Sequence, residues 1–137
     1  MKQRNAFTLI ELLVVIVIIG LLASLVAPKF FGKLETAKGK TAIAQMQMLS
    51  TALDSFKLDT NRYPTTEEGL AILWSPSPSA EGAVGPYLPK PVDKDPWGFA
   101  YQYKNPGNDN HPYDLFSFGA DAQEGGEGEN KDVSVWE

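Results

Sequence analysis

The chain has 137 residues and no cysteine. Small exported domains often lean on disulfides. A chain without them must draw stability from its core, from neighbours in an assembly, or from a bound ion. The loss of cysteine also removes any thiol nucleophile. His111 is the single histidine, so no imidazole pair is available for a transition metal. It sits between Asn110 and Pro112 in a predicted turn, where a lone histidine is expected to face solvent. No glycine-rich phosphate loop is present. Carboxylates abound, but nothing in their spacing selects a general acid and a general base. Trp74, Trp97 and Trp136 read as core or interface aromatics. Together these absences predict that the chain is not an enzyme.

Positive charge is scarce in the last quarter. Residues 105–137 carry Lys131 against eight carboxylates, a local balance of −7, within an overall charge of −5. Residues 1–40 are the reverse, six Lys or Arg against Glu11 and Glu35, a balance of +4. An acidic C-terminal domain argues against nucleic acid as the partner.

A long apolar run is what the chain does have. Residues 1–6 read MKQRNA and residues 7–27 read FTLIELLVVIVIIGLLASLVA, followed by Pro28. The run is long enough to cross a bilayer as a helix. Lys2 and Arg4 before it favour a cytoplasmic N-terminus and a C-terminal domain on the far side. Glu11 interrupts the run, and a carboxylate in lipid needs a partner and a purpose. A secretory signal has a shorter apolar core with its small-residue cleavage site after it. Here the small residue, Ala6, comes before. Cleavage there would trim the leader and leave the helix in place. Gly20 and Ser24 permit close approach of another helix. Pro28 is expected to kink or locally melt the helix.

Helical periodicity then resumes. Ala42, Met46, Leu49, Leu53 and Phe56 share one face, with Lys38, Lys40, Gln45 and Asp54 placed elsewhere. The pattern predicts one helix over residues 7–59. Asp59-Thr60-Asn61 ends it. Thr65 or Thr66 can cap a short helix bearing Leu70, Ile72 and Leu73, with Glu67 and Glu68 in its first turn. Residues 75–91 read as a loop. Residues 99–103, 113–118 and 133–136 are predicted strands of a small antiparallel sheet covering the helix stripe.

The arrangement of Ala6, Phe7-Thr8-Leu9-Ile10-Glu11 and the apolar tail resembles the class III signal of type IV pilins and pseudopilins. That resemblance implies cleavage between Ala6 and Phe7 by a prepilin peptidase and methylation of the new amino terminus. Ala6 stands where glycine is usual. Residues 57–70, the Asp95-Pro96-Trp97-Gly98 turn and residues 114–121 resemble the major pseudopilins of type II secretion systems. The resemblance covers nearly the whole chain apart from residues 75–86. It implies an α+β fold of the type IV pilin-like kind, a long N-terminal helix packed on a small antiparallel sheet. It divides the chain into a cleaved cytoplasmic leader (residues 1–6), a transmembrane and filament-core segment (7–32) and a periplasmic domain (33–137).

The implied function is a structural subunit of a secretion pseudopilus that polymerises through its N-terminal helix to drive export of folded proteins. Its implied partners are other copies of itself, minor pseudopilins and an inner-membrane assembly platform. Glu11 is then expected to pair with the amino terminus of Phe7 on an adjacent subunit. A type IV pilin, a minor pseudopilin, or a membrane-anchored calcium-binding module acting alone are the alternatives.

Residues 119–132 are acidic and glycine-rich. Their spacing does not match an EF-hand, and on spacing alone a solvated loop is the plainer reading. The resemblance implies one calcium. Asp121 and Asp132 would supply carboxylates, and Phe118 and Gln123 backbone carbonyls. Asn130 stands where the family usually has aspartate, and its amide oxygen can still coordinate. Without the cation, the loop is expected to be mobile and to pull the last strand from the sheet.

Overall fold

The computed structural model describes Arg4, residues 6–75 and residues 77–137. Most of the leader expected over residues 1–6 lies outside the described residues, as does one residue of the 75–91 loop. The chain divides into two compact units, residues 1–35 and residues 36–137.

Helix α1 covers Leu9–Thr60. Thr8 begins it, its Oγ1 accepting the Glu11 backbone N–H at 3.2 Å, so Thr8-x-x-Glu11 forms an N-cap from its own sequence. In the first unit the helix buries nothing within the chain. Its apolar side chains from Leu9 to Val26 are exposed, and the stretch is long and apolar enough to cross a membrane. The expected melting at Pro28 does not occur, because α1 runs unbroken past it. Pro28 removes one donor, but an apolar helix has no better place for its other backbone groups.

In the second unit α1 becomes amphipathic. Ala42, Met46, Leu49, Ala52, Leu53 and Phe56 are buried, which adds Ala52 to the predicted stripe. Strands β1 (Gln102–Lys104), β2 (Asp114–Ser117) and β3 (Val133–Ser134) form an antiparallel sheet in chain order. The register places Tyr103 opposite Leu115 and Ser117 opposite Val133 on the core side. Phe116, opposite Gln102 and Ser134, lies on the other face. The strands are shorter than predicted for local reasons. A turn closed by Asp95 N–H on the Phe99 carbonyl, 2.7 Å, uses up the residues before β1. After Ser134 the chain turns, with Trp136 N–H donating to Ser134 Oγ at 3.2 Å.

The predicted short helix is a 3₁₀ turn, Leu70–Leu73, entered through Gly69 at φ 63°. Its expected cap sits one turn earlier. Thr65 Oγ1 accepts the Glu68 N–H at 3.2 Å and Glu68 Oε1 accepts the Thr65 N–H at 3.1 Å. Residues 77–91 have no regular structure, yet bury Ala80 and Leu88 in the core.

All five tyrosines are tied to α1 or to the segment leaving it. Tyr63 donates to Asp54 at 2.8 Å and Tyr87 to Asp59 at 2.6 Å. Tyr113 and Ser50 share a hydroxyl bond of 2.7 Å. Tyr101 donates to Gln45, which therefore joins the packed face rather than lying away from it. Tyr103 donates to the Pro64 carbonyl at 2.7 Å. A phenol brings a large apolar ring to the core and carries a hydroxyl that needs a partner there.

Burial raises the pKa of every one of the five, with a nearby carboxylate adding to it in each case. For Tyr63 the value is pushed up to about 12. Since the unfolded chain ionises its tyrosines first, stability is full below about pH 10 and falls as pH rises above it. Phenolate absorbance of the folded chain should therefore stay flat through the ordinary tyrosine range and rise only together with loss of helix. Ordinary titration with the helix intact would contradict this network.

Glu68 shifts the other way. The Arg62 guanidinium bonds both of its oxygens, at 2.7 and 3.1 Å, and holds its carboxyl below the usual range. Its contribution is complete above the ordinary carboxylate range and is lost as pH falls through the lowered value. The Arg62 side chain is 38% exposed, so solvent limits the pair to about 1 kcal/mol or less. Glu68→Gln should lower Tm by a few degrees at neutral pH, and the gap should begin to narrow only as pH falls into the ordinary carboxylate range and close below Glu68's lowered value.

Candidate functional site

The residues singled out in sequence fall in two places. Ala6 and Phe7 lie exposed ahead of α1, and Glu11 is exposed in its first turn. The second place is the acidic loop, which follows β2 directly and folds by two 3₁₀ turns, Gly119–Asp121 and Gly128–Asn130, packed on each other.

Glycines allow this packing. Gly119 has φ +77°, and a Cβ there would lie 2.8 Å from the carbonyl oxygens of both Glu129 and Lys131. Gly126 has φ +97°, and a Cβ there would lie 2.5 Å from the Asn130 carbonyl. Only glycine meets both demands. The returning limb, carrying Asn130 and leading to Asp132, is thereby drawn against the outgoing one at Phe118 and Gly119.

Asp132 is the more telling of the two expected carboxylates. Its Oδ2 accepts the Gly125 N–H at 3.0 Å. Its Oδ1 is buried and has no hydrogen-bond partner. An unsatisfied buried carboxylate oxygen is costly, and a hard cation is a natural partner for it. Asp121 is exposed and its Oδ1 accepts the Gln123 N–H at 3.1 Å, a local turn. Gln123 and Asn130 are exposed and Phe118 is half-buried. Among the described residues no three carboxylate or imidazole side chains converge. A cation held here would therefore take much of its coordination from backbone and amide oxygens. That chemistry fits the donor set of two aspartates, an amide and two carbonyls.

Two features escaped the sequence reading. His111 does not simply face solvent; it stacks on Trp136, centroids 4.6 Å apart and planes within 11°. Trp136 in turn donates its indole N–H to the Tyr113 carbonyl at 2.9 Å, and Val135 N–H donates to Leu115 O at 3.0 Å. The segment after the loop thus has fastenings of its own. The second feature is Asp95, 5% exposed. Its Oδ1 accepts the N–H groups of Trp97 (3.0 Å) and Phe99 (2.9 Å), and its Oδ2 accepts the Ser117 hydroxyl at 2.6 Å. The Asp-Pro-Trp-Gly spelling signals a turn, but not the bond across to β2.

A long N-terminal helix packed through its second half on a three-stranded antiparallel sheet defines a type IV pilin-like protein. Comparison with known proteins narrows this further. The family described as type II secretion system, protein G, matches residues 29–136, and the prokaryotic N-terminal methylation motif matches residues 1–27. The type II secretion system core protein G of Vibrio cholerae is 44% identical, over 99% of this chain and 94% of its own length. That of Pseudomonas aeruginosa is 42% identical, over 99% and 97%. A solved structure of the major pseudopilin from the type 2 secretion system of enterohaemorrhagic Escherichia coli aligns with TM-score 0.65 and 33% identity, over 77% of this chain and 87% of that one. The chain belongs to the protein G family of type II secretion systems, the major pseudopilins. Its role is that of a structural subunit, and the family is not one of enzymes.

The glycine geometry is directly testable. Gly119→Ala should cost about 1–3 kcal/mol from backbone strain alone, with the clash on Glu129 and Lys131 added. Gly128→Ala, at φ +62° but with nothing within 4 Å, should cost less. Thermal unfolding of both variants measures the difference, and equal losses would mean that the two limbs are not held together at Gly119.

Proposed function

We propose that this chain is anchored in the inner membrane by its N-terminal helix, with its C-terminal domain in the periplasm, and polymerises through that helix into a pseudopilus. The observation that carries this reading is an apolar helix surface, unburied within the chain from Leu9 to Val26 and interrupted by one carboxylate. Such a surface needs lipid or other helices around it. Minor pseudopilins and an inner-membrane assembly platform are the partners this implies.

Processing belongs to the same reading. A prepilin peptidase cuts between Ala6 and Phe7, and the new amino terminus is methylated. That cation pairs with Glu11 of an adjacent subunit, neutralising both charges and setting axial register. Glu11→Leu should insert normally, since it removes a charge from lipid. It should assemble poorly, as read by electron microscopy of cells overexpressing the chain. Normal filaments would remove Glu11 from this role, and an intact mass retaining residues 1–6 in cells with an active peptidase would remove the cleavage.

The acidic loop is proposed to hold one calcium through Asp121, Asp132, the Phe118 and Gln123 carbonyls and Asn130. Calcium supplies the positive charge and the oxygen-loving partner that Asp132 Oδ1 otherwise lacks. Gly125 N–H holds the other Asp132 oxygen in place, and Gly119 and Gly126 keep the two limbs close. Sites in extracellular modules bind at about 0.1–1 mM. Binding to the folded state alone would add about 2.7 kcal/mol at a hundredfold excess over Kd. The detergent-solubilised chain should therefore melt about 10 °C higher in calcium than in chelator, with magnesium a poor substitute. Asp132→Ala should abolish the difference. Identical melting in calcium and in chelator would return the loop to a solvated acidic turn.

A further inference from the structure

We propose that Asp95, far from the loop in sequence, is a positioning residue for the cation site, acting through Ser117 on the peptide that joins Phe118 to Gly119. The inference rests on the calcium reading above and concerns residues to which that reading gives no part.

The path is short and buried. Asp95 is 5% exposed and Ser117 is 0% exposed. Ser117 Oγ donates its one proton to Asp95 Oδ2 at 2.6 Å. Its lone pairs then face the Gly119 N–H, which donates to the same oxygen at 3.1 Å. A hydroxyl has one proton to give. A carboxylate can only accept, so Asp95 fixes the direction of the whole relay.

The N–H at the end of this relay belongs to the same planar group as the Phe118 carbonyl. In a trans peptide the N–H and C=O point opposite ways. Pinning Gly119 N–H toward Ser117 therefore turns the Phe118 oxygen the other way, and that carbonyl is one of the two proposed as a ligand. The Gly119 φ of +77° is reached only because no side chain is present, with the Glu129 and Lys131 carbonyls already close. Glycine has the backbone freedom to rotate that peptide, and the Ser117 hydroxyl is what stops it.

The other Asp95 oxygen accepts the N–H groups of Trp97 and Phe99. One carboxylate thus joins the turn before β1 to the entry of the loop after β2. Coupling of this kind is reciprocal. If Asp95 orders the cation site, an ion at that site must order the turn.

The test uses the full chain in detergent, with calcium affinity measured by calorimetry. Ser117→Ala and Asp95→Asn should each weaken binding by about tenfold, the low end for groups that orient a ligand. Asparagine would offer an amide N–H to Ser117 Oγ where the carboxylate accepts, so the serine proton loses its fixed acceptor and the hydroxyl its fixed orientation toward Gly119. The double variant should lose little more than either single one, because both cut the same path. Tyr63→Phe, which loosens the fold elsewhere, should leave affinity unchanged.

Amide hydrogen exchange on the unmodified chain gives a measurement without substitution. Calcium should slow exchange at Trp97 and Phe99 as well as at Gly119. Unchanged affinity in Ser117→Ala, or a calcium effect confined to residues 119–132, overturns the role of Asp95 while leaving the site. Absence of calcium binding by the unmodified chain overturns the site and the relay together.

Discussion

The domain formed by residues 36–137 depends on one helix face rimmed with polar partners for tyrosine. Ala42, Met46, Leu49, Ala52, Leu53 and Phe56 give α1 an apolar stripe. Gln45, Asp54 and Asp59 then accept the hydroxyls of Tyr101, Tyr63 and Tyr87, and Ser50 shares a hydroxyl bond with Tyr113. Burying rings supplies the driving force, and satisfying their hydroxyls decides which ring sits where. Strands of two to four residues could not hold a sheet by themselves. In this cysteine-free chain, tyrosine hydroxyls tie the loops and strands to the helix and to the segment leaving it.

The two units differ in what they need from outside. Residues 36–137 carry their own core. The apolar part of α1 has none within the chain and is long and apolar enough to cross a membrane. Between these extremes stands the acidic loop, whose limbs are closed by glycine geometry while one oxygen of Asp132 is left buried without a partner.

Much of this was legible in sequence. The period of the stripe, the Asp59-Thr60-Asn61 stop and the strand-like runs at 99–103, 113–118 and 133–136 are local signals, and they place α1 and all three strands. The basic leader, Ala6 and Glu11 are likewise legible, because a charge in an apolar run stands out. Contacts across long separations were not. Gln45 looked like a solvent residue until Tyr101, 56 positions later, arrived to bond it. Ala80 and Leu88 were lost in a loop composition. His111 seemed an isolated turn residue because nothing local announces Trp136 as its stacking partner. Asp95 read as a turn former, since its bond to Ser117 spans 22 residues. In the loop, residue spacing alone favoured a solvated turn and the expected ligand set came from the family resemblance; only the fold shows that Asp132, not Asp121, holds the orphaned oxygen.

The central claim is that the loop is built around a cation which the rest of the domain positions but does not replace. The most direct measurement is a crystal structure of the chain grown in calcium, with anomalous scattering to identify the ion. The account predicts calcium in contact with Asp132 Oδ1, with the Phe118–Gly119 peptide held by Ser117 as described. Asp132 Oδ1 satisfied instead by water or by a side chain, with no ion in the loop at saturating calcium, would contradict it.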